Sequence, residues 1–244
     1  QLARLQGLPY LILGGEALGP KLAARVSAAL PRTAVYNLYG PTETTVDITG
    51  IQVSAGHVDS VPIGRPIAGA RARVLSSTLD QVPVGVTGDL YVGGTQLADG
   101  YYGRPDLTAP RFVADPMSVG DRLYRTGDRA RWTVDGVLEY LGREDHQVKI
   151  RGQRVELGEI EAVLGRYALV DSAAAIIHQR GVTAVVVAYV KSAVESAAPT
   201  VDDLRAWCVT HLPSHMVPSS FVVLDQMPLL PTGKLNRHAL PEPE

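Results

Sequence analysis

The chain has 244 residues, 45% of them hydrophobic, and a formal net charge of -2, enough for one large domain or two small ones around a real core. Charge this close to neutral, with no long run of one sign, excludes nucleic acid or an anionic membrane as the principal partner. The lone cysteine, Cys208, excludes an internal disulfide and reads as a core residue beside Trp207 in a cytoplasmic protein.

No apolar run approaches a membrane span, and no charged start leads into a hydrophobic signal core. The opening, Gln1-Leu2-Ala3-Arg4 without an initiator Met, fits a piece of a longer protein better than a native N-terminus. In chain order, the apolar run 8–13 ends in Gly14-Gly15 and predicts a strand. Pro20 then opens a helix with Leu22, Val26 and Leu30 on one face, closed by Pro31. The apolar stretch 34–38 completes a strand-helix-strand unit of the parallel kind. Its following loop, Tyr39-Gly40-Pro41-Thr42-Glu43, lies where such units carry function.

Between 61 and 141 short strands alternate with Gly and Pro, a β-rich module. Within it Asp135-Gly136 predicts a tight hairpin turn with both residues at positive φ. The charged string Arg143-Glu144-Asp145 interrupts the β pattern and marks a boundary, giving expected domains 1–144 and 145–244. In the second, a hairpin turns at 151–154, and 157–164 reads as a helix with Glu156, Glu159 and Glu161 near its positive end. Strands follow at 173–177 and 184–190, then a small-residue linker at 192–199. Thr200 and Asp203 have N-cap spacing for a helix running through Trp207 to His211. A strand at 220–224 precedes a Pro-rich tail. The fold class expected is α/β and α+β: the C-terminal part of a large α/β subdomain with its β-rich module, then a small α+β subdomain.

Several segments carry candidate chemistry, and each reads two ways. Gly40-Pro41-Thr42-Glu43 is either a turn whose threonine caps the next helix or a nucleotide loop, with Thr42 on a phosphate, Glu43 on Mg²⁺ and Tyr39 against a base. Asp128, after a Thr-Gly turn, is either a backbone-stabilising aspartate or an acceptor for two ribose hydroxyls. Arg143, Lys149 and Lys234, in Pro231-Thr232-Gly233-Lys234, read equally as solvated charges. Zinc is excluded by the absence of ligand spacing, a serine hydrolase by the absence of a nucleophile elbow, with His215 a structural residue, and a dinucleotide fold by the missing glycine context around Gly93-Gly94.

The combination is more specific than its parts. Asn37-Leu38-Tyr39-Gly40-Pro41-Thr42-Glu43, Gly88-Asp89-Leu90-Tyr91-Val92-Gly93-Gly94 running to Gly100-Tyr101, and Tyr124-Arg125-Thr126-Gly127-Asp128 occur in order. They are followed by Gly142-Arg143-Glu144-Asp145-His146-Gln147-Val148-Lys149-Ile150-Arg151-Gly152, Leu212-Pro213-Ser214-His215-Met216-Val217-Pro218 and Pro231-Thr232-Gly233-Lys234-Leu235-Asn236-Arg237. Together they resemble the adenylation domains of nonribosomal peptide synthetases across nearly the whole chain.

The resemblance implies a two-step ligase. An amino-acid carboxylate attacks the α-phosphorus of ATP, and the aminoacyl adenylate passes to the phosphopantetheine thiol of a peptidyl carrier protein. By the same resemblance Lys234 is catalytic, bridging carboxylate and α-phosphate, and Glu43 holds Mg²⁺. Tyr39, Gly40, Thr42, Asp128 and Arg143 belong to the ATP/AMP site, Asp145 is the hinge, and Gly152 faces the pantetheine channel. Ile12, Gly14, Leu38, Val46 and Asp47 surround the amino-acid side chain. A buried, unpaired Asp47 in that lining implies a substrate with a hydrogen-bond donor, such as threonine, serine or glutamine.

The phosphate loop and the aspartate that grips the substrate amino group in this family are absent from the sequence, so an N-terminal part of the adenylation domain is an expected partner and the isolated chain is expected to be poorly active. Thr108-Ala109-Pro110-Arg111-Phe112-Val113 lies where an MbtH-like protein docks in relatives, or is packed loop. The competing readings are an acyl- or aryl-CoA synthetase of the same superfamily and a fragment that only docks a carrier or MbtH-like protein. Asn37 and the 212–218 segment favour the peptide-synthetase branch.

Overall fold

The computed structural model describes residues 5–54, 60–143, 148–150, 153–180, 183–194, 198–233 and 235–243. It divides into two compact units, Gln1–Asp145 and His146–Glu244. No helix among the described residues is long and apolar enough to cross a membrane.

The first unit opens with β1 (Tyr10–Leu13), α1 (Pro20–Ala29) and β2 (Ala34–Tyr39), and β1 and β2 are parallel with Ile12 opposite Tyr36. Strand alternation sends Leu11, Leu13 and Val35 to the face under the helix, where Ala23, Val26 and Leu30 are buried against them. Leu22, expected on this face, is 48% exposed, and Ala23 takes its place. At about 100° per residue, position 23 lies only about 20° from position 30, whereas position 22 lies about 80° away. Antiparallel β3 (Thr49–Gln52) and β4 (Arg65–Pro66) complete a sheet of order β1-β2-β3-β4.

The β-rich module follows as β5 (Ala70–Leu75), β6 (Gly88–Gly94), the one-turn α2 (Pro105–Thr108), β7 (Phe112–Ala114), β8 (Arg122–Trp132) and β9 (Leu138–Arg143). The sheet is antiparallel, of order β5-β6-β8-β7, with β9 also paired to β8. Val74, Leu90, Val92, Phe112, Tyr124 and Leu138 from this sheet bury Ile48 and Ile63 of the preceding segments in one core. That shared core brings the end of β2 over β8 and β9.

The hairpin joining β8 and β9 is looser than the sequence suggests. Thr133 N–H donates to Val137 O at 2.9 Å and Gly136 N–H to Thr133 O at 3.0 Å, and of the turn residues Gly136 alone has positive φ, 69°. This is a three-residue loop with a left-handed glycine after an ordinary turn, which spares Asp135 the left-handed region.

In the second unit β10 (Val148–Ile150) and β11 (Gln153–Val155) form a hairpin, followed by α3 (Leu157–Leu164), β12 (Val170–Arg180), β13 (Thr183–Ser192), α4 (Val201–His211) and β14 (Ser220–Leu224). β12 and β13 run well beyond the expected strands and pair antiparallel, and β14 is parallel to β13. One face of this sheet carries α3 and α4 on a core of Val155, Ile160, Leu164, Val186, Leu204, Cys208 and Phe221. Trp207 Nε1 donates to Val163 O at 2.8 Å and ties the two helices together. His215 lies in a one-turn 3₁₀ segment beside buried Met216.

At the start of α4, Asp203 N–H donates to Thr200 Oγ1 at 3.1 Å and Thr200 N–H to Asp203 Oδ2 at 3.3 Å, a reciprocal capping box. Thr200→Ala should lower stability by about 1 kcal/mol, read from the urea midpoint of the chain. Burial raises the Cys208 thiol from 9.0 to about 11. Because the folded value lies above the unfolded one, the thiol's contribution is intact below pH 9.0 and is lost as pH rises through about 11. Cys208→Ala should flatten the loss of stability across that window in alkaline melts.

Candidate functional site

β2 ends in Tyr39, Asp128 lies within β8, and Arg143 ends β9 directly opposite Asp128. These three side chains, expected at a nucleotide, meet in the first unit. The Tyr39 hydroxyl donates to Asp128 Oδ2. Arg143 Nη1 donates to Asp128 Oδ1 at 2.5 Å and its Nη2 to Thr126 O at 2.9 Å. Thr126 supports the group from below: its hydroxyl donates to Leu90 O at 2.7 Å and accepts from Asp128 N–H at 3.0 Å. Burial first, and then the Asp128 charge, push the Tyr39 phenol well above its ordinary range, so it is a permanent donor. Tyr140 lies 6.4 Å from Tyr39, centroid to centroid.

Pro41 leads into the one-turn 3₁₀ segment Thr42–Thr44. Thr42 is exposed and Glu43 is buried. Glu43 Oε1 accepts from Tyr101 Oη at 2.6 Å and Tyr124 Oη at 2.8 Å, and Glu43 O accepts from Ala98 N–H at 2.9 Å. Burial and then the Glu43 bond raise the Tyr101 phenol, keeping it protonated. Phe112 packs on both rings, 5.5 Å from Tyr101 and 5.2 Å from Tyr124. The segment 108–113 is therefore packed on its Phe112 side: Thr108 Oγ1 accepts from Tyr101 N–H at 2.9 Å and Phe112 is buried.

Ile12 and Leu38 lie on the same sheet face, opposite α1, where Tyr10 and Tyr36 also stand 6.4 Å apart. A Cβ on Gly14 would sit 3.2 Å from Leu38 O. Ile12 is 63% and Val46 67% exposed, while Leu38 and Asp47 are half-buried. The expected buried Asp47 is thus partly open to solvent, because Val46 and Asp47 belong to a turn at the sheet end and not to a strand.

Lys234, Asp145 and Gly152 lie outside the described residues. Around position 234 the tail is tied down: Gly233 N–H donates to Leu230 O and Asn236 N–H to Pro228 O, both at 2.8 Å, and Leu229 bridges Leu235. Arg237 Nη1 donates to Glu161 Oε1 and to Ala175 O, each at 2.8 Å, and Ala175 N–H donates to the same Glu161 oxygen at 2.8 Å.

Tyr101, Tyr124 and Thr126 received no role from sequence, although all three stand in the motif segments. A buried acid needs donors, and tyrosines embedded in those segments were the available signal. Tyr39→Phe removes one donor from a buried carboxylate and should cost about 1–3 kcal/mol of stability, measured by chemical denaturation against Tyr102→Phe, at a fully exposed tyrosine, as a control.

Residues 1–102 match the AMP-binding enzyme family and residues 159–234 the AMP-binding enzyme C-terminal domain. The chain is 51% identical over 245 residues to phosphinothricin tripeptide synthetase PhsB of Streptomyces viridochromogenes, covering 97% of this chain and 20% of that protein. It is 48% identical over 247 residues to a dimodular nonribosomal peptide synthase of Bacillus subtilis, covering 99% of this chain and 10% of that one. The chain thus spans a fifth or less of these relatives' length.

Among solved structures it resembles holo-PA1221, a nonribosomal peptide synthetase protein containing adenylation and PCP domains bound to a vinylsulfonamide inhibitor, with TM-score 0.83 and 30% identity over 96% of this chain and 40% of that one. It also resembles the Vibrio cholerae adenylation domain AlmE in complex with glycyl-adenosine-5'-phosphate, with TM-score 0.79 and 31% identity over 93% of this chain and 43% of that one. Two matched parts of one family, in order along the chain, and relatives of one kind place it: the chain belongs to the AMP-binding enzymes, corresponding to the C-terminal part of a nonribosomal peptide synthetase adenylation domain.

Proposed function

We propose that this chain serves ATP-dependent activation of an amino acid as aminoacyl-AMP and its transfer to the phosphopantetheine thiol of a peptidyl carrier protein. The observation that supports this most is the buried Asp128 carboxylate, set between Tyr39 and Arg143 at the end of a parallel strand pair. A fixed, two-oxygen acceptor of this kind suits a ribose diol, and the Tyr39 ring beside it suits an adenine face. The likeness to AlmE, solved with an aminoacyl adenylate, supports the same ligand class.

The chemistry joins two anions. The amino-acid carboxylate oxygen forms a bond to the α-phosphorus of ATP, the bond from that phosphorus to the α,β-bridging oxygen breaks, and pyrophosphate leaves. Proton transfer contributes little, so the protein acts by positioning and by neutralising charge. In this reading Lys234 lies between carboxylate and α-phosphate, while Thr42 and the Gly40 backbone meet phosphate and Arg143 reaches the ribose side. The second step breaks the mixed anhydride: the thiolate attacks the aminoacyl carbonyl and AMP departs. Asp145 serves as the hinge between the two steps, and Gly152 faces the pantetheine channel.

Mg²⁺ fits the residues present. Among the described residues no group of three or more His, Cys, Asp or Glu side chains could hold a metal, and this ion is commonly bound by one or two carboxylates together with substrate phosphates. Glu43, fixed by two phenols, would be that carboxylate, and the ion would neutralise phosphate charge. Ile12, Gly14, Leu38, Val46 and Asp47 line the amino-acid side, with Asp47 favouring a side chain that donates a hydrogen bond, such as threonine, serine or glutamine. A carrier protein is the proposed partner, and an MbtH-like protein a further one at 108–113.

Amino-acid-dependent pyrophosphate exchange tests this, on the chain alone and on the chain within a complete adenylation domain. The complete domain should exchange with a polar amino acid, and Lys234→Ala should lower the rate by about 100-fold or more. Asp145→Pro should spare exchange while abolishing thioester formation. Exchange driven by aryl or fatty acids instead would identify a CoA synthetase, and carrier binding without exchange a docking module.

A further inference from the structure

Thr45 and Val46 are consecutive β-branched residues at φ 58° and 76°, in the left-handed region that branched side chains avoid. Leu79 is the other non-glycine residue in this region among those described. Asp47 N–H donates to Thr45 O at 3.0 Å across Val46, closing a γ-turn of the rare positive-φ kind. Such a conformation persists where its surroundings over-determine it.

Three contacts do so here. Thr45 N–H donates to Thr42 O at 3.1 Å. The Thr45 hydroxyl donates to the backbone carbonyl of Gln96 at 3.0 Å, a bond to a segment 51 residues away. The Val46 carbonyl then rests on bare backbone, since a Cβ on Gly40 would come within 2.2 Å of Val46 O and 2.8 Å of Ile48 N. Ile48 N–H donates to Tyr39 O at 2.8 Å and returns the chain to β3.

We propose that this clasped turn sets amino-acid selectivity, with Thr45 a positioning residue that holds Val46 and Asp47 in place through Gln96. The proposal rests on Val46 and Asp47 lining the amino-acid site. If the clasp opens, both residues relax to negative φ, turning the Val46 side chain and the Asp47 carboxylate away from their present directions. The neighbouring half of the loop has side-chain anchors of its own besides a backbone bond to the segment that carries Gln96. Glu43 is fixed by the Tyr101 and Tyr124 phenols and by Ala98 N–H. Loss of the clasp therefore acts on the amino acid and leaves the nucleotide side in place.

The test compares Thr45→Val, which keeps the branched shape and deletes the donor, with Thr45→Ser, which keeps the donor. Thr45→Gly also deletes the donor, and relieves the positive φ, so it guards against a variant that fails to fold. In the complete adenylation domain, adenylate formation is measured across an amino-acid panel, with hydrogen exchange at the Asp47 amide. Thr45→Val and Thr45→Gly should speed that exchange about tenfold and reduce the kcat/KM ratio between the best and second-best amino acids about tenfold. The KM for ATP should stay within about twofold, and Thr45→Ser should behave as the parent.

Faster exchange with an unchanged selectivity ratio, or a KM for ATP that rises as much as that for the amino acid, overturns the proposal alone. So does an Asp47 amide already unprotected in the parent. A parent domain with a protected Asp47 amide that forms adenylate with no amino acid overturns the functional reading, and the selectivity role with it.

Discussion

A carboxylate taken out of water must be compensated on every side, and at Asp128 that requirement organises the first unit. Its oxygens are claimed by a phenol from the end of β2 and a guanidinium from the end of β9, and its own N–H by the Thr126 hydroxyl. Stripping the guanidinium from such a buried ion pair costs about 3–5 kcal/mol. Two sheets of different topology are thus pinned at one point, with the Tyr39-Gly40-Pro41 turn above it. Glu43 repeats the solution with two phenols in place of a cation. The two acids are gripped in different ways, Asp128 by a phenol and a guanidinium and Glu43 Oε1 by two phenols.

Much of the fold was legible because local physics and tertiary context agree. Thr200 and Asp203 announce a cap that forms as written, and the apolar spacing of 157–164 predicts α3 with its observed ends. The strand-helix-strand opening is parallel as the pattern requires. Where context intervened, the reading slipped by small steps. Leu22 gave way to Ala23 because burial followed the better-aligned stripe under α1. Asp135-Gly136 widened into a three-residue loop because Thr133 and Val137 pair across it.

The site was legible in part, and the division is instructive. Asp128, Arg143 and Tyr39 stand in recognisable segments and converge, although 89 residues separate Tyr39 from Asp128. The donors to Glu43 were not assigned, since a phenol in a strand looks like any core aromatic until its partner is known. Nor does composition foretell that Val46 adopts a left-handed backbone: a β-branched residue there contradicts its own propensity. Such contradictions arise where long-range contacts dominate, here the carbonyl of Gln96 and the bare Cα of Gly40.

The tail around Arg237 has a consequence for how motion is divided. Arg237 bonds at once to the side chain of a helix residue and to the backbone of a central strand, while Leu235 packs into the second face of that sheet and Tyr189 Oη holds Pro241 O at 2.6 Å. Residues 235–241 are thereby fastened to the unit's own framework. A strap held at a helix, at a central strand and at Pro241 cannot peel away one contact at a time, so it opens with the unfolding of the second unit and not by local fraying.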